Sequence, residues 1–445
     1  MSLNALCAEY VLPIDAKMTV YHPGVVIVQD KKILEVGQKN EILNKYPGIS
    51  IEDFGDKVIM PGFINLHCHF PMIFTRGLGD DLELMTWLNK YVFPLEAQLL
   101  SADYVYDASL AGCAELIHHG FTSVLDMYYY TACRIHACEK IGIRAWLNQA
   151  IIGFPTTEYE STDKSIEETR DLIIQWKNHS RLQVTLGPHS AYTLSPEHLK
   201  KCKQIADETD SILHVHLAES DSELQSVFEQ HKKHPVDLLN EIGFLGRNVV
   251  AAHCVKLNEA QIGILAEKQT SVAHNPCSNL KLTSGIAPVV EMQKQGICVG
   301  LGTDGPMSSN RMDPFHVMDL VAKVQKTLKN DPVVMPASEV IRMGTINGAK
   351  ALNVEDKIGS LEPGKIADLI VIDHKMGMFS KVHDIYVHLV YACHGEMVQH
   401  VMIDGQWVLR DHCLQKIDDA DISELSDKWE PKIQNIVQSI VEDNQ

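Results

Sequence analysis

Two histidines separated by one residue occur in the segment Pro61-Gly-Phe-Ile-Asn-Leu-His67-Cys-His69. Residues i and i+2 of a β-strand point to the same face, so His67 and His69 could hold one metal ion between them. Cys68 would point to the opposite face and pack there. A single pair of this kind is weak evidence, because most histidines lie in a core or on a surface and bind nothing. The pair therefore needs further ligands elsewhere in the chain.

Further candidate ligands follow later apolar segments. His214 and His216 form a second pair that shares one face, and Glu219 comes three residues after His216. His253 ends an apolar run, and Asp304 lies in a Gly-Thr-Asp-Gly turn after another. Taken alone, His253 could be a buried structural histidine and Asp304 a helix N-cap. Together these residues indicate a metal centre with acid–base groups beside it.

The elements that must position these residues alternate between strand and helix. Between about residues 59 and 364, short apolar runs are separated by helical patterns, which predicts an α/β fold with a (β/α)₈ barrel. Each candidate ligand lies at the C-terminal end of such a run, where barrel enzymes carry their catalytic groups. An open doubly wound sheet is the alternative, but no G-x-G-x-x-G follows the first strand and no G-x-x-x-x-G-K-[ST] occurs. The strand-like runs are Val58-Ile59 and residues 123–125, 145–147, 184–186, 212–217, 249–252, 271–273 and 298–301.

Both ends of the chain have β patterns. Residues 25–28 and 33–36 predict one hairpin, residues 367–373 a strand, and residues 398–403 and 406–410 a second hairpin around Asp404-Gly405. Neither end has enough strands for a stable sheet, so we expect both to join in one small β-sandwich. The predicted organisation is an N-terminal portion of the sandwich at 1–58, the barrel at 59–364, a C-terminal portion of the sandwich at 365–415, and a C-terminal amphipathic helix at 416–445.

Composition excludes several classes of protein. The formal net charge of −19 argues against nucleic acid or an anionic membrane as a partner, because phosphate groups would be repelled. No stretch approaches the ~18 uncharged apolar residues that span a bilayer. The 11 cysteines have no framework spacing, and Met1 to Lys17 lacks the pattern of a signal peptide, so we expect reduced thiols and a cytoplasmic location. The oligomeric state stays open, and a homo-oligomer is compatible with the sequence.

The combined motifs resemble those of the amidohydrolase superfamily. The resemblance covers nearly the whole chain, from Pro-Gly-Phe-Ile-Asn-x-His-x-His to the closing segment Ile358-Gly-Ser-Leu-Glu-Pro-Gly-Lys. It implies that the metal is Zn²⁺, with Fe²⁺ as an alternative, and that the ligands are His67, His69, His216 and Asp304. Members with two metals use a bridging carboxylate, often a carboxylated lysine, at the end of the fourth strand. That turn reads Gly-Pro-His189 here, so we predict one metal per chain.

The resemblance also implies the chemistry. A bound zinc ion lowers the pKa of water toward ~7, which gives a nucleophile for a polarised C=N carbon. Glu219 would move a proton to the ring nitrogen beside the attacked carbon, while His253 and Asp304 would orient and deprotonate the water. The alternative for Glu219 is a surface carboxylate at the start of a helix.

Within the superfamily the sequence is most similar to the 5′-methylthioadenosine/S-adenosylhomocysteine deaminases, which are grouped with the triazine hydrolases. The similarity lies in residues 75–81, in Met-Thr-Trp87 and in Pro-Leu-Glu96. It implies that Trp87 packs over the sugar and thioether, that Glu96 accepts hydrogen bonds from the ribose hydroxyls, and that His189 contacts the substrate near the purine. From spacing alone, a core tryptophan and a solvated glutamate are the alternatives.

The expected function is therefore zinc-dependent deamination of an adenine nucleoside thioether to the inosine analogue and ammonia. An s-triazine or guanine-type hydrolase on the same scaffold is the enzymatic alternative, and a catalytically inactive scaffold protein is the other. The segment after the third barrel strand lacks an arginine that would bind an amino-acid carboxylate, and Arg134 and Arg144 are the nearest candidates. Methylthioadenosine is thus at least as good a candidate substrate as S-adenosylhomocysteine.

Overall fold

The computed structural model of the protein describes residues 3–379 and 381–443. Its strands are, in chain order, β1 (Leu3–Ala8), β2 (Tyr10–Val11), β3 (Gly24–Gln29), β4 (Lys32–Gln38), β5 (Ser50–Asp53), β6 (Val58–Pro61), β7 (Phe63–Cys68), β8 (Phe121–Tyr128), β9 (Arg144–Ile151), β10 (Leu182–Pro188), β11 (Leu213–Leu217), β12 (Val249–His253), β13 (Ser271–His274), β14 (Val299–Leu301), β15 (Leu369–Ile372), β16 (Val398–Ile403), β17 (Gln406–Arg410) and β18 (Cys413–Leu414).

The helices fill most of the intervals between the strands. They are α1 (Lys39–Leu43), α2 (Leu84–Trp87), α3 (Phe93–Leu99), α4 (Ala102–His118), α5 (Thr131–Ile141), α6 (Thr162–Trp176), α7 (Pro196–Thr209), α8 (Asp221–His231), α9 (Pro235–Glu241), α10 (Glu259–Glu267), α11 (Pro276–Lys281), α12 (Val289–Lys294), α13 (Pro306–Ser309), α14 (Pro314–Lys329), α15 (Ala337–Met343), α16 (Ile346–Ala351), α17 (Ile385–Tyr391) and α18 (Asp419–Asp443). Short 3₁₀ helices occupy Phe70–Thr75 and Gly395–Met397, and a π-helical turn occupies Leu88–Val92.

A barrel of parallel strands forms the centre of the molecule. The eight strands β7 to β14 pair in sequential order, and their pairing is parallel throughout. The first and last strands meet where the backbone N–H of Asp304 donates to the carbonyl oxygen of His67 at 2.9 Å. With helices between the strands, this is the predicted (β/α)₈ barrel, which confirms the fold class.

One strand prediction was wrong. Val58-Ile59 does not begin the barrel, since β6 pairs with β15 and β2 in a terminal sheet, and the first barrel strand is β7. Only Gly62 separates β6 from β7. A Cβ atom on Gly62 would lie 2.0 Å from Thr122 Cγ2. Glycine is therefore the residue that fits where the chain passes from the terminal sheet into the barrel. The sequence of this run resembles that of a barrel strand because all four residues of β6 are buried in the terminal sheet and the run is therefore apolar.

Segments from both chain ends build two further sheets. One has the order β4-β3-β1-β5 and the other the order β18-β17-β16-β15-β6-β2. The predicted hairpins are β3–β4 and β16–β17, both antiparallel. An apolar core shared by the two sheets holds them together, and it includes Leu6, Val26, Ile59, Leu369, Val371 and Met402. The division of the chain into four units remains a prediction.

The C-terminal helix α18 packs against α3 and α4. Asp107 of α4 accepts hydrogen bonds from Lys428 Nζ at 2.6 Å and from the indole nitrogen of Trp429 at 2.9 Å. Lys432 Nζ donates to the carbonyl oxygen of Leu99 at 3.2 Å. These contacts fix α3, which carries Glu96. Among the described residues, every helix is too short or too polar to span a bilayer.

Candidate active site

The strands of the barrel bring the predicted ligands to one edge. His67 lies near the end of β7 and His69 directly after it, His216 lies in β11, and Asp304 follows β14. Because the C-terminal ends of parallel barrel strands meet at the same face, residues far apart in sequence become neighbours there. His253, at the end of β12, completes the group.

The ligand atoms of this cluster lie close together. Asp304 Oδ1 lies 3.3 Å from His67 Nε2 and 3.3 Å from His69 Nε2, and His216 Nε2 lies 3.4 Å from His69 Nε2. Ligands at about 2.1 Å from a tetrahedrally coordinated ion are about 3.4 Å apart, so these separations have the right scale for one shared metal. The imidazole of His253 also belongs to the neighbourhood, with its ring centroid 5.2 Å from that of His67.

Hydrogen bonds behind the cluster fix which ring nitrogen carries the proton. Nδ1 of His69 lies 2.6 Å from the carbonyl oxygen of Met127, and Nδ1 of His216 lies 2.8 Å from that of His189. A carbonyl oxygen only accepts, so both Nδ1 atoms donate and both Nε2 atoms present a lone pair to the cluster. His67 Nδ1 is held by His214 Nε2 at 3.0 Å. His214 thus supports the cluster from behind.

Burial sets the protonation states that a metal requires. It lowers the pKa of His67 to about 3 and that of His216 well below the usual range, so both imidazoles are neutral. Burial opposes ionisation of Asp304, but the neighbouring imidazoles of His67 and His69 outweigh it and hold the pKa well below its usual value. The buried Nε2 of His67 has no hydrogen-bond partner among the described residues. Neutral imidazoles, an ionised carboxylate and an unsatisfied buried nitrogen fit a divalent metal.

Two acid–base candidates stand beside the cluster. Glu219 Oε2 lies 3.8 Å from His253 Nε2, and His253 Nδ1 is held by Asn279 Oδ1 at 2.8 Å. Burial raises the pKa of Glu219. Burial alone would lower the pKa of His253, but the carboxylates of Glu219 and Asp304 raise it. Glu219 therefore keeps its proton to a higher pH than a free glutamate does, and His253 stands beside it as a second group that can carry a proton.

The turn after β11 is held by Glu223, a residue that no sequence motif singled out. Glu223 Oε1 accepts from the N–H of Ala218 at 2.9 Å, and Oε2 accepts from the N–H of Glu219 at 2.7 Å. Ala218 has a φ of 51°, in the left-handed region that non-glycine residues rarely occupy. Two bonds to one carboxylate stabilise this conformation, and the position of Glu219 depends on it.

A cavity of about 690 Å³ opens beside the cluster. His69, His216, Glu219, His253 and Asp304 line it, and so do the three predicted substrate contacts Trp87, Glu96 and His189. Tyr128 and Tyr129 also line it, although neither was among the predicted site residues. Their signal was available, since they follow Ser123-Val-Leu125 at the end of a predicted strand. The structure therefore brings all the predicted site residues together.

Among the three predicted substrate contacts, Glu96 has a buried oxygen with open hydrogen-bonding capacity. Its Oε1 is buried and has no partner among the described residues. Burial raises the pKa of Glu96 to about 7, while a hydrogen bond from Tyr128 partly opposes the shift. A buried carboxylate oxygen without a donor is costly, so a ligand with hydroxyl donors would be bound well here.

The arginines considered for a substrate carboxylate are both engaged elsewhere. Arg134 is fully buried and donates to Asp126 at 2.6 Å and to the carbonyl oxygens of Tyr128 and Asn148 at 2.8 and 2.7 Å. Arg144 pairs with Asp368 at 2.7 Å, at the start of β9 and away from the cavity. Neither lines the cavity.

Comparisons with known proteins agree with this architecture. The amidohydrolase family matches residues 58–408. A 5-methylthioadenosine/S-adenosylhomocysteine deaminase of Thermodesulfovibrio yellowstonii is 37% identical over 96% of this chain and 98% of its own length. A 5′-deoxyadenosine deaminase of Methanothermobacter thermautotrophicus is 37% identical over 91% of this chain and 93% of its own.

Solved structures show the same fold. An adenosine deaminase from Xanthomonas campestris with bound zinc has a TM-score of 0.94 at 30% identity, covering 97% of this chain and 98% of that one. A zinc complex of atrazine chlorohydrolase from Arthrobacter aurescens has a TM-score of 0.88 at 21% identity, covering 98% and 100%. The last match shows the fold alone. With the family match and near full-length relatives of this identity, the chain belongs to the amidohydrolase family.

Proposed function

We propose that this protein deaminates an adenine nucleoside by hydrolysis, with one zinc ion per chain, and releases ammonia and the inosine analogue. One observation carries the proposal. The cavity that contains the His/Asp cluster and Glu219 is also lined by Glu96, whose buried Oε1 lacks a donor among the described residues. A nucleoside offers both a hydrolysable C–N bond and a pair of hydroxyl donors. The names of the relatives at 37% identity support the same substrate class.

The substrate would be held at its sugar and at its base. Glu96 accepts hydrogen bonds from the two vicinal ribose hydroxyls, and Trp87 packs against the sugar. His189 has a pKa lowered to about 3 by burial, so its neutral ring contacts the purine without adding charge. Apolar side chains such as Leu84 and Leu88 line the same cavity and exclude water from the base.

The metal would be held by His67, His69, His216 and Asp304, and when bound it supplies a Lewis acid that makes water nucleophilic at neutral pH. Glu219, protonated over a wider pH range because it is buried, delivers a proton to the ring nitrogen beside the attacked carbon. His253 keeps Nε2 toward Glu219 because Asn279 holds its Nδ1, and it takes up the proton that the water loses. The amine then gains that proton and leaves as ammonia when the C–N bond breaks, and the hydroxyl proton on the attacked carbon returns to Glu219 as the carbonyl forms.

The test is a substrate panel of 5′-methylthioadenosine, S-adenosylhomocysteine, adenosine, guanine and a melamine-type triazine. Ultraviolet absorbance and ammonia release are followed on the metal-loaded protein, with Glu219→Gln as the inactive control. We expect turnover of at least one adenine nucleoside and little or none of guanine or the triazine.

Two outcomes would contradict the proposal. Turnover of guanine or the triazine without any nucleoside would point to the base or triazine hydrolases. A protein that binds no metal and releases no ammonia from any purine would be an inactive scaffold. Elemental analysis of the same preparation distinguishes zinc from iron and one metal ion from two.

A further inference from the structure

Three side chains meet at the rim of the cavity that contains the metal cluster. Lys281 Nζ forms an ion pair with Asp80 and also donates to Asn310 Oδ1. Asn310 Nδ2 in turn lies 3.5 Å from Asp80 Oδ2. The side chains of Lys281 and Asp80 are 27% and 34% exposed, so the ion pair is partly shielded from water. We name this three-residue contact the latch.

The latch joins three separate loops at the C-terminal face of the barrel. Asp80 lies between β7 and α2, Lys281 is the last residue of α11 after β13, and Asn310 directly follows α13 after β14. Leu282 and Ser308, which are close in sequence to Lys281 and Asn310, line the cavity. The latch therefore connects the loop that carries Asp80 to the wall on the β13–β14 side of the cavity.

Residues 76–92, which we name the strap, form another wall of the same cavity. Leu84, Trp87 and Leu88 of the strap line the cavity and are almost fully buried. They belong to the same apolar cluster as Leu282. The strap thus turns an apolar face toward the space in which the nucleoside is expected to bind.

The strap is anchored at its start and has a bent backbone directly after this anchor. Arg76 Nη2 donates to both carboxylate oxygens of Glu115 in α4, each at 2.7 Å. Gly77 and Gly79 then have φ values of 79° and 69°, which glycine adopts without strain. The far end of the strap is the π-helical turn Leu88–Val92, an irregular element that often marks functional sites. A change of direction at these two places would move the segment between them.

The latch is the polar contact that holds the middle of the strap. Among the described residues 77–89, Asp80 is the one whose side chain makes a hydrogen bond or an ion pair with a residue outside the strap. We propose that the latch controls access to the site. The strap stays closed over the nucleoside while Lys281 holds Asp80, and ligand enters or leaves when this contact breaks. The identity of the ligand rests on the proposed function.

A latch of this kind has a distinct kinetic consequence. Lys281 lies outside the described lining of the cavity, so its substitution leaves the contacts of the bound ligand in place. Loss of the latch destabilises the closed state of the free protein and of the complex by the same amount. As long as the closed state predominates, the rate constants of association and dissociation then increase by the same factor, and Kd stays constant. A residue that shapes the site or contacts the ligand changes Kd instead.

The first test measures binding of 5′-methylthioinosine, the uncharged reaction product, to the zinc-loaded protein by stopped-flow tryptophan fluorescence. We expect Lys281→Met to raise both rate constants roughly three- to fivefold, the effect of losing a partly exposed ion pair with one added hydrogen bond, and to leave Kd unchanged. Asp80→Asn should act in the same way, and the double variant should add little to either single change. Lys323→Met is the matched control, because it breaks the exposed pair with Asp319 on α14 and should change neither rate constant.

The second test needs no ligand. Leu84→Cys places a thiol on the inner face of the strap, where the native side chain is 6% exposed. Alkylation of this thiol by iodoacetamide, located by peptide mass spectrometry, then reports the open fraction of the strap. We expect Lys281→Met in this background to accelerate the alkylation roughly three- to fivefold, and Lys323→Met to have no effect.

The outcomes separate this inference from the proposed function. A Kd that rises with an unchanged association rate constant would show that Lys281 shapes the site, and would overturn control of access. An alkylation rate that does not respond to Lys281→Met, or responds equally to Lys323→Met, would overturn the latch itself. If no adenine nucleoside is turned over and the product does not bind, while Lys281→Met still accelerates alkylation, the proposed function is refuted and the latch stands.

Discussion

Replacing Glu96 by glutamine tests whether this carboxylate binds the ribose hydroxyls of the substrate. The substitution keeps the shape of the side chain and one acceptor oxygen, and removes the charge. The measured quantity is the ratio of kcat/KM for 5′-methylthioadenosine to kcat/KM for its 2′,3′-dideoxy analogue. Because both substrates carry the same base, every step at the metal cluster cancels in this ratio.

The magnitude follows from the unpaired Oε1 of Glu96. A hydrogen bond to a charged group contributes about 1.5–3 kcal/mol, so two hydroxyls on one carboxylate give about 3–6 kcal/mol. At about 1.36 kcal/mol per factor of ten, the ratio in the native protein is expected to be roughly 10²–10⁴. Glutamine accepts from one hydroxyl without charge, so Glu96→Gln should reduce the ratio to about ten.

The pH dependence gives an independent check. Burial raises the pKa of Glu96 to about 7, and only the ionised carboxylate accepts from both hydroxyls. The ratio should therefore be highest above a pH of about 7 and fall as the pH drops through that value. The pKa of Glu219 affects both substrates alike, so it does not produce this change. Glu96→Gln should have a ratio that does not vary with pH.

Glu158→Gln is the matched control. Glu158 is also a partly buried carboxylate with a raised pKa, but it already accepts hydrogen bonds from Tyr130 and Gln149. Its substitution should leave the ratio unchanged. Steady-state rates by ultraviolet absorbance at several pH values suffice. If the native protein has a ratio near one, or if Glu96→Gln keeps the full ratio, Glu96 does not bind the ribose and the reasoning is refuted.

Four further predictions follow from the same site. Glu219→Gln should lower kcat by roughly 10²–10⁴-fold with unchanged metal content, and substantial residual turnover would reject its role as proton carrier. Glu223→Gln leaves one buried amide of the turn without a charged acceptor, so the free energy of unfolding should fall by about 1–3 kcal/mol in denaturant titration, and kcat should fall while metal content by elemental analysis stays constant. Removal of the metal with a chelator should lower the free energy of unfolding by about 4 kcal/mol, where the reference is the protein with free metal at about a thousand times its Kd. Added zinc should restore the lost stability. Identical thermal melts with and without metal would argue against a folded metal site. Glu96→Gln should stabilise the fold above pH 7 by at most about 3 kcal/mol, because burial favours the neutral acid, and this gain should vanish below the ordinary pKa of 4.5, as followed by thermal melts across pH.

The predictions from sequence succeeded where local pattern and barrel topology suffice. The i, i+2 spacing of His67 and His69 places both on one face of a strand, and the topology brings strand ends together without knowledge of any contact. The prediction that Val58-Ile59 belongs to the barrel was wrong because a strand buried on both faces has the same apolar sequence pattern in a terminal sheet as in a barrel. Pairing of β6 with β15, some 300 residues later in the chain, decides between them.

The remaining features depend on contacts that no spacing encodes. Arg134 is a sequence-based candidate for binding a substrate carboxylate. It instead ties Asp126 to the carbonyl oxygens of Tyr128 and Tyr129 at the end of β8, and it cannot turn toward the cavity without leaving those groups unpaired. Its charge holds the strand end that carries Tyr128 and Tyr129. The cavity is left with carboxylates and no lysine or arginine among its described lining residues. The donors of Arg134 are therefore already used within the scaffold, and this arginine is not available to a ligand in the cavity.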